Sequence, residues 1–387
     1  MPLRLLFLVA PLLLAGVVIA QPSQPDIPCY WRPTSLDKPW IGPELPCLEE
    51  VVPAGVDGEL AYTSLAAGPD GTLYAARPLA GEVWALTDSD GDDLPETPRL
   101  WADGLTLPNA LFADWQSGDL YVAGGPNIYR ILPNGDVTVL VDDLPAGPGY
   151  WTGGLTIGEL EGGEPRLFVG TGAACDSCET GETGRGAVWS FRLDGSDGRI
   201  EATGFRQPSD LTFANGAVWA LDSAPASRFD TPNLDEVNRL VTGGDYGFPQ
   251  CVGADASPAC ADTLAPTAVL PTGSTPLGLS GYPFETLPVF TDSLLVALAG
   301  SSGQFDLRGY ALAQIQPDTG EVVVRIPQPA DAGGPVDFAR VQDLNYRTVG
   351  FYPERPYDVA VSQQGWVYIS LSNGRILAIR PQSEVVY

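Results

Sequence analysis

The sequence predicts an all-β fold, a six-bladed β-propeller with an N-terminal strand closing the last blade. Three observations lead there. A strand phrase of the form polar–Leu–aromatic–Val–Ala occurs six times: DGTLYAAR (70–77), SGDLYVAG (117–124), EPRLFVGTG (164–172), NGAVWALD (215–222), TDSLLVALAG (291–300) and QGWVYISLS (364–372). The first three copies lie about 47 residues apart, near the blade length of propeller repeats. Each copy has companion strands upstream and downstream, which makes four strands per repeat.

The upstream strands are entered through polar or proline turns: Thr63-Ser64-Leu65, Pro108-Asn109-Ala110-Leu111, Thr152-Gly153-Gly154-Leu155, Pro208-Ser209-Asp210-Leu211, Pro276-Leu277-Gly278-Leu279 and Pro356-Tyr357-Asp358-Val359. The downstream strands run through GEVWALTD (81–88), PNIYRILPNG (126–135), GAVWSFRLDG (186–195), DEVNRLVTGG (235–244), RGYALAQIQPDTG (308–320) and GRILAIRPQ (374–382). Fourth strands include RLWADGL (99–105), DVTVLVDDL (136–144) and RIEATGF (199–205). The last repeat has little chain left for a fourth strand, whereas EEVVPAGV (49–56) has that look and precedes the first repeat. It is expected to pair near 374–380, because an unpaired blade edge invites aggregation. A β-sandwich would not produce six matching phrases at this spacing. Scattered Gly (45) and Pro (37) suit the many turns.

Residues 1–20 read as a signal peptide: Arg4, an apolar run from Leu5 to Ala20 broken by Pro11, and the small-residue end Val18-Ile19-Ala20. The run is short for a membrane span, and no later segment could cross. The expected organisation is a signal peptide (1–20), a disulfide-stapled extension (21–48) and the propeller (49–387), in a secreted or periplasmic protein. Six cysteines fall into three close pairs, Cys29/Cys47, Cys175/Cys178 and Cys251/Cys260, and proximity suggests those pairings. A zinc site at Cys175-x-x-Cys178 lacks the second close pair that four ligands require. The segment 222–276, which holds Cys251 and Cys260, is enlarged; it is a stapled surface loop or a rim that shapes a pocket.

Of the 387 residues 48 are acidic and 20 basic, a net charge of −28, which disfavours nucleic acid and anionic membranes as partners. No histidine is present. That excludes Ser-His-Asp triads, Cys-His pairs and histidine-ligated metals, and leaves carboxylate, Tyr, Lys or Cys as acid or base.

The turn Asp88-Ser-Asp90-Gly-Asp92-Asp-Leu94-Pro-Glu96 places carboxylates at positions 1, 3, 5 and 9 with Gly at 4. Such a loop can converge on a hard cation that takes six to eight oxygens. It is not an EF-hand, since position 6 is not Gly and position 12 is Arg99. A structural calcium ion held by Asp88, Asp90, Asp92 and Glu96 with the Leu94 carbonyl is expected.

Several segments resemble the pyrroloquinoline-quinone (PQQ)-dependent glucose and sorbosone dehydrogenases. GFRQPSDLTF, VWALDSAP and LDEVNRLVTGGDYGFPQC, within 204–251, are similar to that family's Arg-Asn-Pro turn, Leu-Trp strand, Asp-Glu-Leu-Asn element and Tyr-Gly-Trp-Pro. GTGAACDSCE and AVWSFRLDGS resemble its third blade; PLGL (276–279), LLVALAGS (294–301) and RPYDVAV (355–361) resemble later blades. The resemblance implies a quinone on one face of the propeller, bound by Arg206, Gln207 (Asn in the family) and Arg355, with Asn109 where the family often has His. It also implies a calcium ion at the quinone and oxidation of an aldose or sugar aldehyde. Asp235, Glu236 and Asn238 match the Asp-Glu-x-Asn element.

Two departures bear on catalysis. Tyr150 stands where the family has its base His, and Gly153 where it has Arg. A free tyrosine, with a pKa of about 10, is a poor base at neutral pH. Three readings follow: a divergent quinone-dependent sugar dehydrogenase with Asp210 or Asp358 as replacement base; a non-catalytic propeller that binds a carbohydrate or protein partner through the same face; or a calcium-dependent lactonase-like hydrolase using Asn109, Asp210 and Asp358.

Overall fold

A computed structural model describes residues 41, 44–45, 48–55, 61–91, 93–177, 184–226, 231, 234–301, 308–327 and 351–381. The expected signal peptide (1–20), Cys29, Cys47, Cys178 and Asp92 lie outside the described residues. The first strand, β1 (Leu48–Val52), precedes the first blade. Blade one is β2 (Ser64–Ala67), β3 (Leu73–Arg77), β4 (Glu82–Thr87) and β5 (Thr97–Ala102); blade two is β6 (Ala110–Ala113), β7 (Leu120–Gly124), β8 (Asn127–Ile131) and β9 (Val137–Val141). Blade three is β10 (Thr152–Gly158), β11 (Arg166–Thr171), β12 (Ala187–Phe191) and β13 (Arg199–Thr203). Blade four is β14 (Leu211–Ala214), β15 (Ala217–Asp222) and β16 (Asp235–Arg239); β17 (Gly244–Asp245) then leaves it, and β18 (Ala268–Leu270) completes it. Blade five is β19 (Pro276–Tyr282), β20 (Ser293–Leu298), β21 (Ala311–Ile315) and β22 (Val322–Ile326); blade six is β23 (Pro356–Val361), β24 (Val367–Leu371) and β25 (Ile376–Ile379). No α-helix occurs among the described residues, and none of their helices is long and apolar enough to cross a membrane.

β1 closes blade six. It runs antiparallel to β25, with Leu48 opposite Ile379, Glu49 opposite Ala378 and Glu50 opposite Leu377. The six inner strands β2, β6, β10, β14, β19 and β23 pack side by side in a closed ring around a channel. Convergence there demands small side chains: a Cβ on Gly281 would lie 2.5 Å from the Ala214 Cβ, and one on Gly158 would lie 2.7 Å from the Phe213 ring. The core lies between blades, as where Leu295, Leu312 and Ile326 of blade five pack in one cluster with Val367, Ile369 and Leu377 of blade six.

The enlarged segment after β16 does something its composition did not show. It crosses to blade three, where Gly244 and Asp245 pair in parallel with Ala202 and Thr203 of β13. Tyr246 packs against Phe205 with ring centres 4.6 Å apart, and Cys251–Cys260 staples the excursion as expected. The segment thus covers an outer blade edge that would otherwise present free amides. Cys175 is disulfide-bonded.

Candidate functional site

The turns that lead into the inner strands lie on one face of the ring, here called the upper face. They bring together Tyr150, before β10, and Arg206, before β14. The Arg206 guanidinium lies 4.0 Å from the centre of the Tyr150 ring and also bonds to its hydroxyl. Arg206 Nη2 and Nε donate to Asp176 Oδ1 at 2.7 and 3.0 Å, and Nη1 donates to the Ser223 carbonyl at 3.2 Å. Asp176 Oδ1 also accepts from the Tyr150 hydroxyl (2.9 Å) and the Ala226 amide (3.1 Å). Burial opposes ionisation of Asp176, but the bonds from Arg206, the Ala226 amide and Tyr150 outweigh it and hold the carboxyl below its usual range. Burial pushes Tyr150 up to about 12 despite the arginine, so at neutral pH it is a phenol and a donor. Tyr150 packs on Ala173, Ala224, Leu234, Phe248 and Val252, so the stapled segment from blade four also backs this cluster.

Beneath it, Gln207 is buried and its side-chain nitrogen has no partner. Asp222 receives the Arg206 and Gln207 amides at 2.8 and 2.6 Å and fixes the blade-four turn. It stands opposite Glu236 across β15 and β16. Glu236 is pushed up to about 8, first by burial and then by the charge of Asp222; Asn238 Nδ2 donates to it at 3.0 Å. Asp235 is raised to about 6 by burial and receives the Ala224 and Thr275 amides. The Asp-Glu-x-Asn element is therefore a buried polar brace within blade four.

Arg355, before β23, reaches blade five. It donates to the carbonyls of Gly300 (2.6 Å) and Ser301 (2.9 Å) and to the Tyr310 hydroxyl (3.1 Å). Asn109, before β6, is half-buried, and its amide donates to the Ala123 carbonyl at 2.9 Å.

Asp210 and Asp358 sit deeper. Each ties its inner strand to the next blade: Asp210 accepts from the Leu279 amide and Asp358 from the Leu65 amide, both at 2.6 Å. They face a cavity of about 770 Å³ that runs down the channel, away from Tyr150 and Arg206. This cavity and the Tyr150–Arg206 cluster are thus at different places in the channel.

In the calcium-like loop, oxygens of Asp88, Asp90 and Glu96 lie within 4.8 Å of one another. Glu96 Oε1 accepts from the Ser89 hydroxyl at 2.6 Å, the leading cause of its lowered pKa, while its Oε2 is buried without a hydrogen-bond partner. Asp88 Oδ1 receives the Asp90 and Gly91 amides, which folds the turn back on itself.

Sequence reasoning missed Asp176, Asp222 and Tyr310. Asp176 sits beside Cys175, and its acidic residue between two cysteines was the signal that could have marked it. Nothing local to it identifies Arg206 as its partner.

Comparisons agree with this architecture. A family model described as Strictosidine synthase-like, N-terminal, matches residues 348–379. No curated protein matches the chain in sequence. Among solved structures, the calcium structure of a Trichoderma reesei enzyme of carbohydrate-active enzyme family AA12 is 15% identical with a TM-score of 0.65, covering 89% of this chain and 98% of that one. The PQQ domain of a pyranose dehydrogenase from Coprinopsis cinerea, in its holo form, is 14% identical with a TM-score of 0.61, over 84% and 94%. The soluble aldose sugar dehydrogenase of Escherichia coli is 14% identical with a TM-score of 0.58, over 86% and 98%. The chain has the six-bladed propeller fold of the PQQ-dependent sugar dehydrogenases, the family that its sequence segments resemble.

Proposed function

We propose that this chain is an exported propeller of the sugar-dehydrogenase fold that binds a carbohydrate on its upper face without oxidising it. The observation that carries the reading is the roof on Arg206: Tyr150 lies on its guanidinium and Asp176 takes its charge. A quinone carrying several carboxylates needs exposed cations. Arg206 is spent on Asp176, Tyr150 and a carbonyl, and Arg355 on the carbonyls of blade five. Both arginines that would meet the quinone's carboxylates thus have their donors engaged within the protein, and the charge of Arg206 is matched by Asp176. Sugar oxidation also needs a base to take the hydroxyl proton, and a phenol with a pKa of about 12 is not one at neutral pH. Trp151, 44% exposed beside Tyr150, offers an aromatic face to a sugar. Calcium at Asp88, Asp90, Asp92, Glu96 and the Leu94 carbonyl is assigned a structural role, supported by the unpartnered Glu96 oxygen. Export through residues 1–20 accords with the Cys251–Cys260 bond.

A second reading, quinone-dependent oxidation of an aldose, is favoured by the unpartnered nitrogen of Gln207 at the position of the family's cofactor-binding Asn. One experiment separates the two. The purified protein is titrated with PQQ and calcium, and dye reduction is followed with a panel of aldoses. No saturable quinone binding and no turnover are expected, while calorimetry detects aldose binding that is lost in Trp151→Ala. Asp176→Ala, which releases Arg206, should raise quinone affinity above the parent's. Saturable binding with turnover that Arg206→Ala abolishes would establish the second reading instead.

A further inference from the structure

The cavity below Asp210 and Asp358 belongs to neither reading. Its walls come from the inner strands of the six blades, through residues such as Leu111, Leu155, Ile157 and Val361. It opens at the lower face, where the inner strands end and where the lining residues Gln116, Phe213 and Gln363 are exposed. Its inner end carries Asp210 and Asp358, and its outer part carries Asp114 and Glu159 beside Trp115. No Lys or Arg lines it among the described residues.

We propose that this cavity binds a small organic cation with an apolar body, its charge directed at Asp210 and Asp358. Three features select that class. First, the ionisable groups along the cavity, Asp114, Glu159, Asp210 and Asp358, are all acidic, so whatever charge it carries is negative, and low-dielectric walls focus such a field. Burial pushes both carboxyls up, and the charge of Asp358 raises Asp210 further, so the pair by itself holds protons that a positive group beside it would displace in favour of the ionised form. Second, the walls are aliphatic, with Phe112, Trp115 and Phe213 as the aromatic lining; they match a hydrocarbon body and can face a cation. Third, a bare metal ion is poorly served. Both oxygens of each aspartate already accept amides, Asp210 from Leu211 and Leu279, Asp358 from Val359 and Leu65. A hard cation needs six or more oxygens, which leucine and alanine walls do not supply. An organic cation needs no inner coordination shell and uses the long-range field instead. Gly278 belongs to the same device, since a Cβ there would lie 2.5 Å from the Asp358 Cα.

The inference is independent of the upper-face reading. The test is calorimetry on the full chain in 0.15 M salt with benzyltrimethylammonium, against 2-phenylethanol and phenylacetate of similar size. The cation should bind on the order of tenfold more tightly than the alcohol, and phenylacetate should not bind. Asp210→Asn, Asp358→Asn and the cavity-filling Ser280→Phe should each weaken the cation by a similar factor, while Tyr150→Phe on the upper face leaves it unchanged. Melting curves and circular dichroism establish that the variants fold; if the aspartate variants do not, Ser280→Phe decides. Equal binding of the alcohol, absence of cation binding, or affinity retained in Ser280→Phe would each overturn the proposal, the last by tracing the attraction to the acidic surface at large.

Discussion

Individual side chains here trade chemistry for structure. Arg206 and Arg355, the two cations that the family resemblance assigns to a cofactor, hold turns and carbonyls together. The site is also closed to simple repair. Gly153 stands where the family has Arg, yet a Cβ there would lie 2.8 Å from the Ser209 carbonyl oxygen, so the backbone of blade four would have to move before any side chain could enter. Glu236 shows the same priority for structure. Its folded pKa of about 8 exceeds the ordinary carboxylate value, first because it is buried and then because Asp222 is near. The folded state therefore binds this proton more tightly than the unfolded state. The group's contribution to stability is complete below the unfolded pKa near 4 and is lost as pH rises towards 8. Glu236→Gln should gain steadily on the parent as the pH rises from about 5 to about 8. Thermal unfolding across that range measures it; parallel curves for the two proteins would show that this ionisation is not tied to folding.

At the scale of elements, loops between strands do most of the specific work. The turn between β4 and β5 gathers Asp88, Asp90 and Glu96, three carboxylates that repel unless a cation joins them. A chelator should lower the parent's melting temperature, because an ion bound only by the folded state stabilises it by mass action. Asp90→Ala should melt below the parent in calcium and show no further response to chelator. An Asp90→Ala protein that still responds to chelator would place the ion elsewhere. The excursion between β16 and β18 is a larger example. It adds β17 to the edge of blade three and backs Tyr150 with Phe248 and Val252. The sequence marked it as an enlarged, stapled segment but could not say which blade it would cover. That depends on where the outer edge of blade three lies in the closed ring.

The whole molecule depends on ring closure. β1 supplies the outer strand of blade six, and Arg380 Nε bonds to Glu49 Oε1 at 2.5 Å while its guanidinium lies 4.5 Å from the Trp366 ring. Glu49 is 2% exposed while the Arg380 side chain is 33% exposed, so removing Glu49 leaves a gap at the seam between the two ends of the propeller beside a partly solvated cation. Glu49→Ala should cost roughly 1–3 kcal/mol and weaken the pairing that covers the edge of β25. Thermal unfolding with light scattering checks both effects, and a variant that melts with the parent and stays monodisperse would remove the seam from the account of stability.

Six matching strand phrases, the missing last strand and the candidate for it at 49–56 were legible in the sequence, because strand alternation, turn residues and repeat length are local properties. The calcium-like spacing was legible for the same reason. The upper-face cluster was not. Tyr150, Asp176 and Arg206 lie on three separate loops, and their mutual neutralisation exists only once blades three and four are side by side. Nor could the sequence show that Asp210 and Asp358 turn towards the amides of the next blade and a cavity below. A sequence shows which groups carry charge; only the closed ring decides which of them face one another.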